Sequence, residues 1–281
     1  EERERLKRLV EEIQKAYNLP GGIIVRTAAE GVQREQLEQD MRYLARLWEV
    51  IQQRQRTAEV PSLIFDELPL PQRIIRDLAG EQTTKIYVDS REIHLKVKQF
   101  VEEFVPIVAD SLHHYPGERP LFDLHNVEDD LQKALQRRVA LKSGGYLIID
   151  QTEAMTTIDV NTGSFVGGRS LEDTVFKTNL EATHVIARQL RLRNLGGIII
   201  IDFIDMQEQA HKDEVLKSLE KMLIRDHSKT NITQVSELGL VEMTRKRTRE
   251  SLEHLLCEPC PTCHGRGYVK TAETVCFEIF R

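Results

Sequence analysis

The chain has 281 residues, 40% hydrophobic and 30% charged, with a formal net charge of −6. That is enough for a sizeable core and more than one domain, while the acidic balance argues against a uniformly basic nucleic-acid coat, since phosphate binding draws on Lys and Arg. No apolar run approaches the ~20 residues of a membrane helix and no basic leader precedes an apolar segment, so a globular, cytoplasmic protein is expected.

In chain order, Glu1-Glu2-Arg3-Glu4-Arg5 reads as the charged opening of a helix over 1–17, with no Met, as expected of a chain that begins mid-protein. A Pro20-Gly21-Gly22 break precedes a strand over 22–26. A helix over 34–56 carries Leu37, Met41, Leu44, Trp48 and Ile51 on one stripe, which makes Trp48 a core residue and not a base-stacking platform. A proline-marked boundary at 61–71 opens a second unit. It holds a strand at 85–88, a long helix over 92–113, a Pro116-Gly117 turn, a short segment at 121–124 and a helix over 127–138. His113 and His114 are adjacent on that expected helix and point about 100° apart, which disfavours a shared metal.

From Gly144 the pattern changes to a strand pair, a helix over 171–193, a strand over 196–203, a helix over 208–225 and strands at 232–235 and 240–243. Together these form a mixed α/β layer. The most telling feature lies here: the runs 155–160 and 196–203 deliver Asp159 and Asp202 at strand ends. A buried strand that ends on a carboxylate carries an expensive charge, which a divalent cation can compensate. Asn161 follows Asp159 on the same face at period two, Asp150 and Glu153 precede it, and Asp205 lies beyond Asp202. Mg²⁺ suits such a site because it takes carboxylate oxygens, keeps several waters and leaves room for a phosphate oxygen. Strand-end aspartates also cap turns and helices, and spacing alone does not choose between the two.

A resemblance does choose. Residues 144–161, GGYLIIDQTEAMTTIDVN, and the run from Asn179 through 188–197, RQLRLRNLGG, to Asp202-Phe203-Ile204-Asp205-Met206 resemble the ribonuclease E/G family. So do Arg245-Lys246-Arg247-Thr248-Arg249 and Cys260-Pro261-Thr262-Cys263-His264-Gly265-Arg266-Gly267, so the resemblance covers essentially the whole chain. It implies that Asp159 and Asp202 hold a catalytic Mg²⁺ and that Asn161 orients one of them. The implied reaction is endonucleolytic hydrolysis of single-stranded RNA, in RNA processing and decay, leaving a 5′-phosphate on the downstream product. It also implies a 5′-monophosphate sensor at Arg26-Thr27, where a guanidinium and a hydroxyl can grip phosphate together. The implied organisation is a sensor region over 1–70, an RNase H-like unit over 71–140, a DNase I-like nuclease domain over 141–256, and a zinc-link with the start of a dimerisation domain over 257–281. The family's S1 domain is not part of this stretch and the dimerising region looks cut short at Arg281, so weak activity is expected of this span alone.

With four Cys, three of them at 257, 260 and 263, metal binding is favoured over a disulfide framework. Cys260 and Cys263 have knuckle spacing but supply only two of the four ligands a structural Zn²⁺ wants. Cys257 or His264 could complete the set, at the cost of crowding; the family solution shares the ion between two chains, which implies a homodimer bridged through Cys260 and Cys263 with Cys257 an onlooker. Cys276 sits in an apolar run and reads as buried packing. Arg188, Arg191 and Arg193 form one basic cluster and 245–249 another, so Arg245, Arg247 and Lys229 are candidate RNA contacts. The first cluster also reads as a solvated helix face. Two other readings stay open: a non-catalytic RNA-binding fragment, and a Mg²⁺-dependent hydrolase of another phosphodiester such as DNA.

Overall fold

Helix α1 (Glu2–Tyr17) buries Leu6, Val10 and Ile13 along one side, the spacing of a single helical face. It ends at Asn18, whose left-handed backbone (φ 48°) stops the helix. The computed structural model describes residues 1–281 except 81, 164–170, 225, 227, 237, 238, 264, 266, 268 and 281. Two units divide the chain, Glu1–Leu124 and His125–Arg281.

In the first unit, Val10 and Ile13 of α1 meet Leu37 and Met41 of α2 (Arg34–Thr57). The segment 22–26, expected as a strand, enters no ladder; Ile23 and Val25 instead pack against the α1–α2 cluster. Trp48, expected in the core, is 53% exposed. The α1 cover reaches only the first part of the stripe, and beyond Met41 the buried side passes to Val50.

A second cluster joins Ile75 of α3 (Leu70–Leu78) with residues near β1 (Ile86–Val88) and with Val97, Phe100 and Val101 of α4 (Arg91–Phe104). Ser90 caps α4, its Oγ accepting from the Ile93 N–H at 3.3 Å. The single helix expected over 92–113 is in fact three elements. Pro106, which cannot continue an α-helix, opens a 3₁₀ turn over Pro106–Ser111, and β2 (Leu112–His114) follows. β2 pairs in parallel with β1, so His113 and His114 sit on a strand and face opposite ways. Helix α5 (Leu121–Leu124) closes the unit.

The second unit begins with α6 (Val127–Ala134), shorter than expected because Arg138–Ala140 forms strand β3. Then come β4 (Tyr146–Gln151), β5 (Met155–Asn161), α7 (Leu171–Leu192), β6 (Gly197–Asp202) and α8 (Gln209–Leu223). The end expected for α8 at Arg225 lies outside the described residues. β7 (Thr230–Val235), β8 (Leu240–Arg245), α9 (Leu252–Leu256) and α10 (Ala272–Ile279) complete the chain. The strands form one sheet in the order β3-β4-β5-β6-β8-β7. β5 and β6 run parallel and the other neighbours antiparallel, so the architecture is the expected mixed α/β.

One face of this sheet is closed. Leu147, Ile158, Ile199, Ile201 and Met243 pack with Ala182, Ile186 and Leu190 of α7 and Leu219 of α8, each at most 1% exposed. Each large side chain so buried contributes roughly 1.5–3 kcal/mol. On the other face Ile198 is 48% exposed. The aliphatic run at 198–201, expected as a buried strand, is therefore buried on one side only, its period hidden because both faces carry isoleucine. Beyond Glu250 no described residue is buried, and Cys276, expected as packing, is exposed on α10 away from the sheet core. Among the described residues no helix is long and apolar enough to cross a membrane.

Candidate functional site

Strand β5 turns Ile158 and Val160 into the core, so Asp159 and Asn161 project from the open face. Strand β6 does the same with Ile199 and Ile201, which turns Asp202 outward. The parallel register sets Asp159 directly opposite Asp202, one strand spacing of about 4.8 Å away. Asn161 Nδ2 donates to Asp159 Oδ2 at 2.9 Å and holds that carboxylate in place. Desolvation raises the pKa of Asp202, and the nearby charges of Asp159 and Asp205 raise it further. The sheet thus brings two carboxylates to one point. Among the described residues no group of three or more His, Cys, Asp or Glu converges. Two carboxylates with the rest of the shell left to water fit a hard cation such as Mg²⁺.

Asp150 and Glu153 do not join this pair. Asp150 stands opposite Thr157, and Arg137 Nη2 donates to its Oδ2 at 2.7 Å. That bond holds its carboxyl below the usual range. Glu153 lines a cleft with Arg247, Arg249 and His254 at the start of β5 and β6, the end away from Asp159 and Asp202.

Two supporting residues had no role assigned from the sequence. Asn179, fully buried in α7, donates from Nδ2 to the Ile204 carbonyl at 2.8 Å and accepts the Ile204 N–H at 3.1 Å. It fixes the chain immediately after Asp202, and its signal was a polar side chain on the apolar side of an otherwise regular helix. Glu172 accepts the Gln207 N–H at 3.1 Å and lies 3.1 Å from His211 Nδ1, while the His211 ring stacks on Phe176 at 4.2 Å. These contacts tie the start of α7 to the start of α8.

Of the basic residues expected at RNA, one is buried and two are exposed. Arg245 is 4% exposed, with Nε 2.7 Å and Nη2 3.0 Å from the Asp226 carboxylate and Nη1 2.8 Å from the Leu195 carbonyl. Its guanidinium is committed to internal acceptors because its strand position points into the core. Arg247 is exposed, its Nε donating to the Gly196 carbonyl at 3.0 Å. The Gly196-Gly197 pair is its seat: Gly197 has φ +91°, and a Cβ there would meet Arg247 Nη2 at 2.8 Å. Lys229 is exposed just before β7, its carbonyl accepting from Lys246 N–H at 3.0 Å. Because Gly197 and Thr230 both pair with Arg245 while Leu240 pairs with Asp202, all three cations sit at the sheet end remote from the aspartates, roughly 17 Å away at ~3.3 Å per residue. In the other cluster, Arg193 is buried against Gln189 Oε1 (2.7 Å) and the Gln136 carbonyl (2.8 Å), and Arg188 pairs with Asp130 at 3.0 Å.

In the first unit, Arg26 and Thr27 are exposed where a 3₁₀ turn, Thr27–Ala29, begins. They line a cavity of about 800 Å³ together with Arg3, Lys7 and Gln14 and with the carboxylates of Glu2, Glu11 and Glu30. Arg3 and Lys7 are cations the sequence reading did not place there. Near the C-terminus, the neighbouring Cys263 and Thr262 amides lower the pKa of the Cys260 thiol. Cys257 and Cys260 are exposed and Cys263 half-buried; His264 lies outside the described residues.

Comparison with known proteins agrees with the resemblance seen in the sequence. Residues 1–248 match the model of the Ribonuclease E/G family. The whole chain is 58% identical over 280 residues to ribonuclease G of Salmonella typhimurium (strain SL1344) and 56% identical to ribonuclease G of Escherichia coli (strain K12). In both cases it spans 57% of the relative's length. It is also 39% identical to ribonuclease E of a Nostoc species over 270 residues, 95% of this chain and 39% of that protein. With its paired strand-end aspartates, its mixed sheet and a match running over most of its length, the chain belongs to the ribonuclease E/G family.

Proposed function

We propose that this chain carries the hydrolytic centre of a Mg²⁺-dependent endoribonuclease acting on single-stranded RNA in RNA processing and decay, and that its products carry 5′-phosphates. The observation that carries this reading is the registered Asp159–Asp202 pair on an open sheet face, with Asn161 bonded to Asp159. When bound, the ion would polarise a phosphoryl oxygen and make water a stronger nucleophile. Asp159 and Asp202 supply the oxygens that hold it, Asn161 keeps Asp159 aimed at the shared position, and Asn179 fixes the chain beside Asp202. The open face leaves an extended strand free to approach. A folded duplex fits such a site less readily than unpaired RNA.

Arg26 and Thr27, with Arg3 and Lys7 in the same cavity, support a site for a 5′-monophosphate, whose charge suits a guanidinium and a hydroxyl. Cys260 and Cys263 support a Zn²⁺ shared between two chains, hence a homodimer. The relatives' names support RNA as the substrate, and cytoplasmic residence goes with that substrate. A second reading, RNA binding without turnover by this span alone, is favoured by the chain covering only 57% of the ribonuclease G relatives.

The test is a gel assay on 5′-phosphorylated and 5′-hydroxyl single-stranded RNA, with Mg²⁺ or a chelator, using the full-length protein and this span side by side. Cleavage that needs Mg²⁺, runs faster on the 5′-phosphorylated strand and disappears in Asp159→Asn supports the proposal. Binding without cutting by this span, under conditions where the full-length protein cuts, supports the second reading. Cutting of DNA in preference to RNA overturns both.

A further inference from the structure

The cations expected at the substrate sit at the sheet end away from the aspartates, and the sheet register puts another cation in the aspartates' own row. Arg138 of β3 pairs with Ile148, Ile148 with Asp159, and Asp159 with Asp202. Registered partners project from the same face, so the four side chains form a line across three strand junctions. Val139, next to Arg138, packs toward the core, which confirms that Arg138 points to the open side. Two strand spacings, about 10 Å, separate its Cα from that of Asp159.

Arg138 is also held in place. Its guanidinium carbon lies 3.9 Å above the centre of the Tyr146 ring, a stacked cation–π geometry. Stacking occupies one flat face of the guanidinium and leaves its N–H edge free for a bidentate contact with an oxyanion. Tyr146 stands opposite Asn161 in the ladder, beside the residue that orients Asp159. Among the described residues no carboxylate pairs with Arg138, whereas its neighbour Arg137 is taken by Asp150. An exposed, pre-oriented cation level with the acidic pair is what a strand of phosphates crossing that pair needs.

We infer that Arg138, stacked on Tyr146, binds one non-scissile phosphate of the RNA and so sets the line the strand takes across the Asp159–Asp202 site. The inference rests on the proposed RNA-cleaving reading and adds a positioning residue to it. A stacked arginine contributes through both charge and geometry, so Lys is a poor substitute.

The experiment compares the full-length wild type with Arg138→Gln, Arg138→Lys and Tyr146→Leu on a single-stranded RNA in which each phosphate in turn is replaced by a neutral methylphosphonate. Arg138→Gln should raise KM about tenfold, as loss of a charge-assisted contact does, with kcat within about twofold. It should also flatten the salt dependence of binding by about 0.7 in log–log slope, one single-strand phosphate contact. One linkage beside the cleavage site should be costly in the wild type and cost nothing in Arg138→Gln. Arg138→Lys and Tyr146→Leu should fall between the two. An Arg138→Gln protein with wild-type KM and the wild-type pattern of sensitive linkages overturns the inference while leaving RNA cleavage intact. If the wild type does not cut RNA at all, the proposed function fails, and anisotropy binding of the same methylphosphonate series still decides whether Arg138 contacts a phosphate.

Discussion

Asn161 lies two residues beyond Asp159 on the same strand face and donates a hydrogen bond to it at 2.9 Å. A carboxylate on an open sheet face has several rotamers, and this bond restricts Asp159 to those within reach of Asn161. Asn161→Ala should therefore leave the fold intact and lower Mg²⁺-dependent RNA cleavage about 10–100-fold, the usual cost of losing a partner that orients a ligand. The Mg²⁺ concentration for half-maximal rate should rise with it. Steady-state rates across a Mg²⁺ titration check both expectations.

Arg245 and Asp226 are 4% and 3% exposed and joined by two hydrogen bonds. Asp226→Asn strands a buried guanidinium and should destabilise the second unit by about 3–5 kcal/mol, read by chemical denaturation. Burial pushes the Asp226 carboxyl up, but the bonds from Arg245 and Ser228 outweigh it and leave its pKa lowered. Its stabilisation is therefore complete above the unfolded carboxylate value, ~3.9, and is lost as pH falls through the lower folded value. The acid limb of the stability profile should flatten in the variant.

Gly197→Ala tests the seat of Arg247. Gly197 has φ +91° and a Cβ there would approach the guanidinium to 2.8 Å, so the substitution should cost about 1 kcal/mol or more. RNA cleavage per folded molecule should be unaffected, because the site at Asp202 is at the other end of β6. Denaturation midpoints and specific activity together distinguish this from a direct effect on the site.

The paired aspartates were legible in the sequence because strand alternation is a local property: Ile158 and Val160 inward forces Asp159 and Asn161 outward. Their register was not, since it depends on the α7 crossover that brings β6 beside β5. Arg245 shows the converse failure. A run of three arginines and a lysine in five residues reads as a basic surface, but period-two alternation sends Arg245 into the core, where Asp226 receives it. Trp48 failed for a related reason. An apolar stripe predicts a buried face only as far as another element covers it, and α1 covers α2 through Met41. Arg138 stood out in no motif, because its place in the aspartate row exists only once three strand junctions are set.

Zinc stoichiometry tests the knuckle. In the full-length protein, metal analysis should give one zinc per two chains, and Cys260→Ser or chelation should dissociate the dimer. One zinc per chain means that Cys257 or His264 completes a site within each chain.

The most direct test of the whole account is binding of Mn²⁺, a paramagnetic stand-in for Mg²⁺, followed by electron paramagnetic resonance in the wild type, Asp159→Asn and Asp202→Asn. Ligation by both residues predicts one wild-type site per chain that each substitution weakens at least tenfold, with the double variant little worse than either single one. Equal Mn²⁺ affinity in the wild type and Asp202→Asn would mean that the two carboxylates do not share an ion, and the hydrolytic assignment of this site would be wrong.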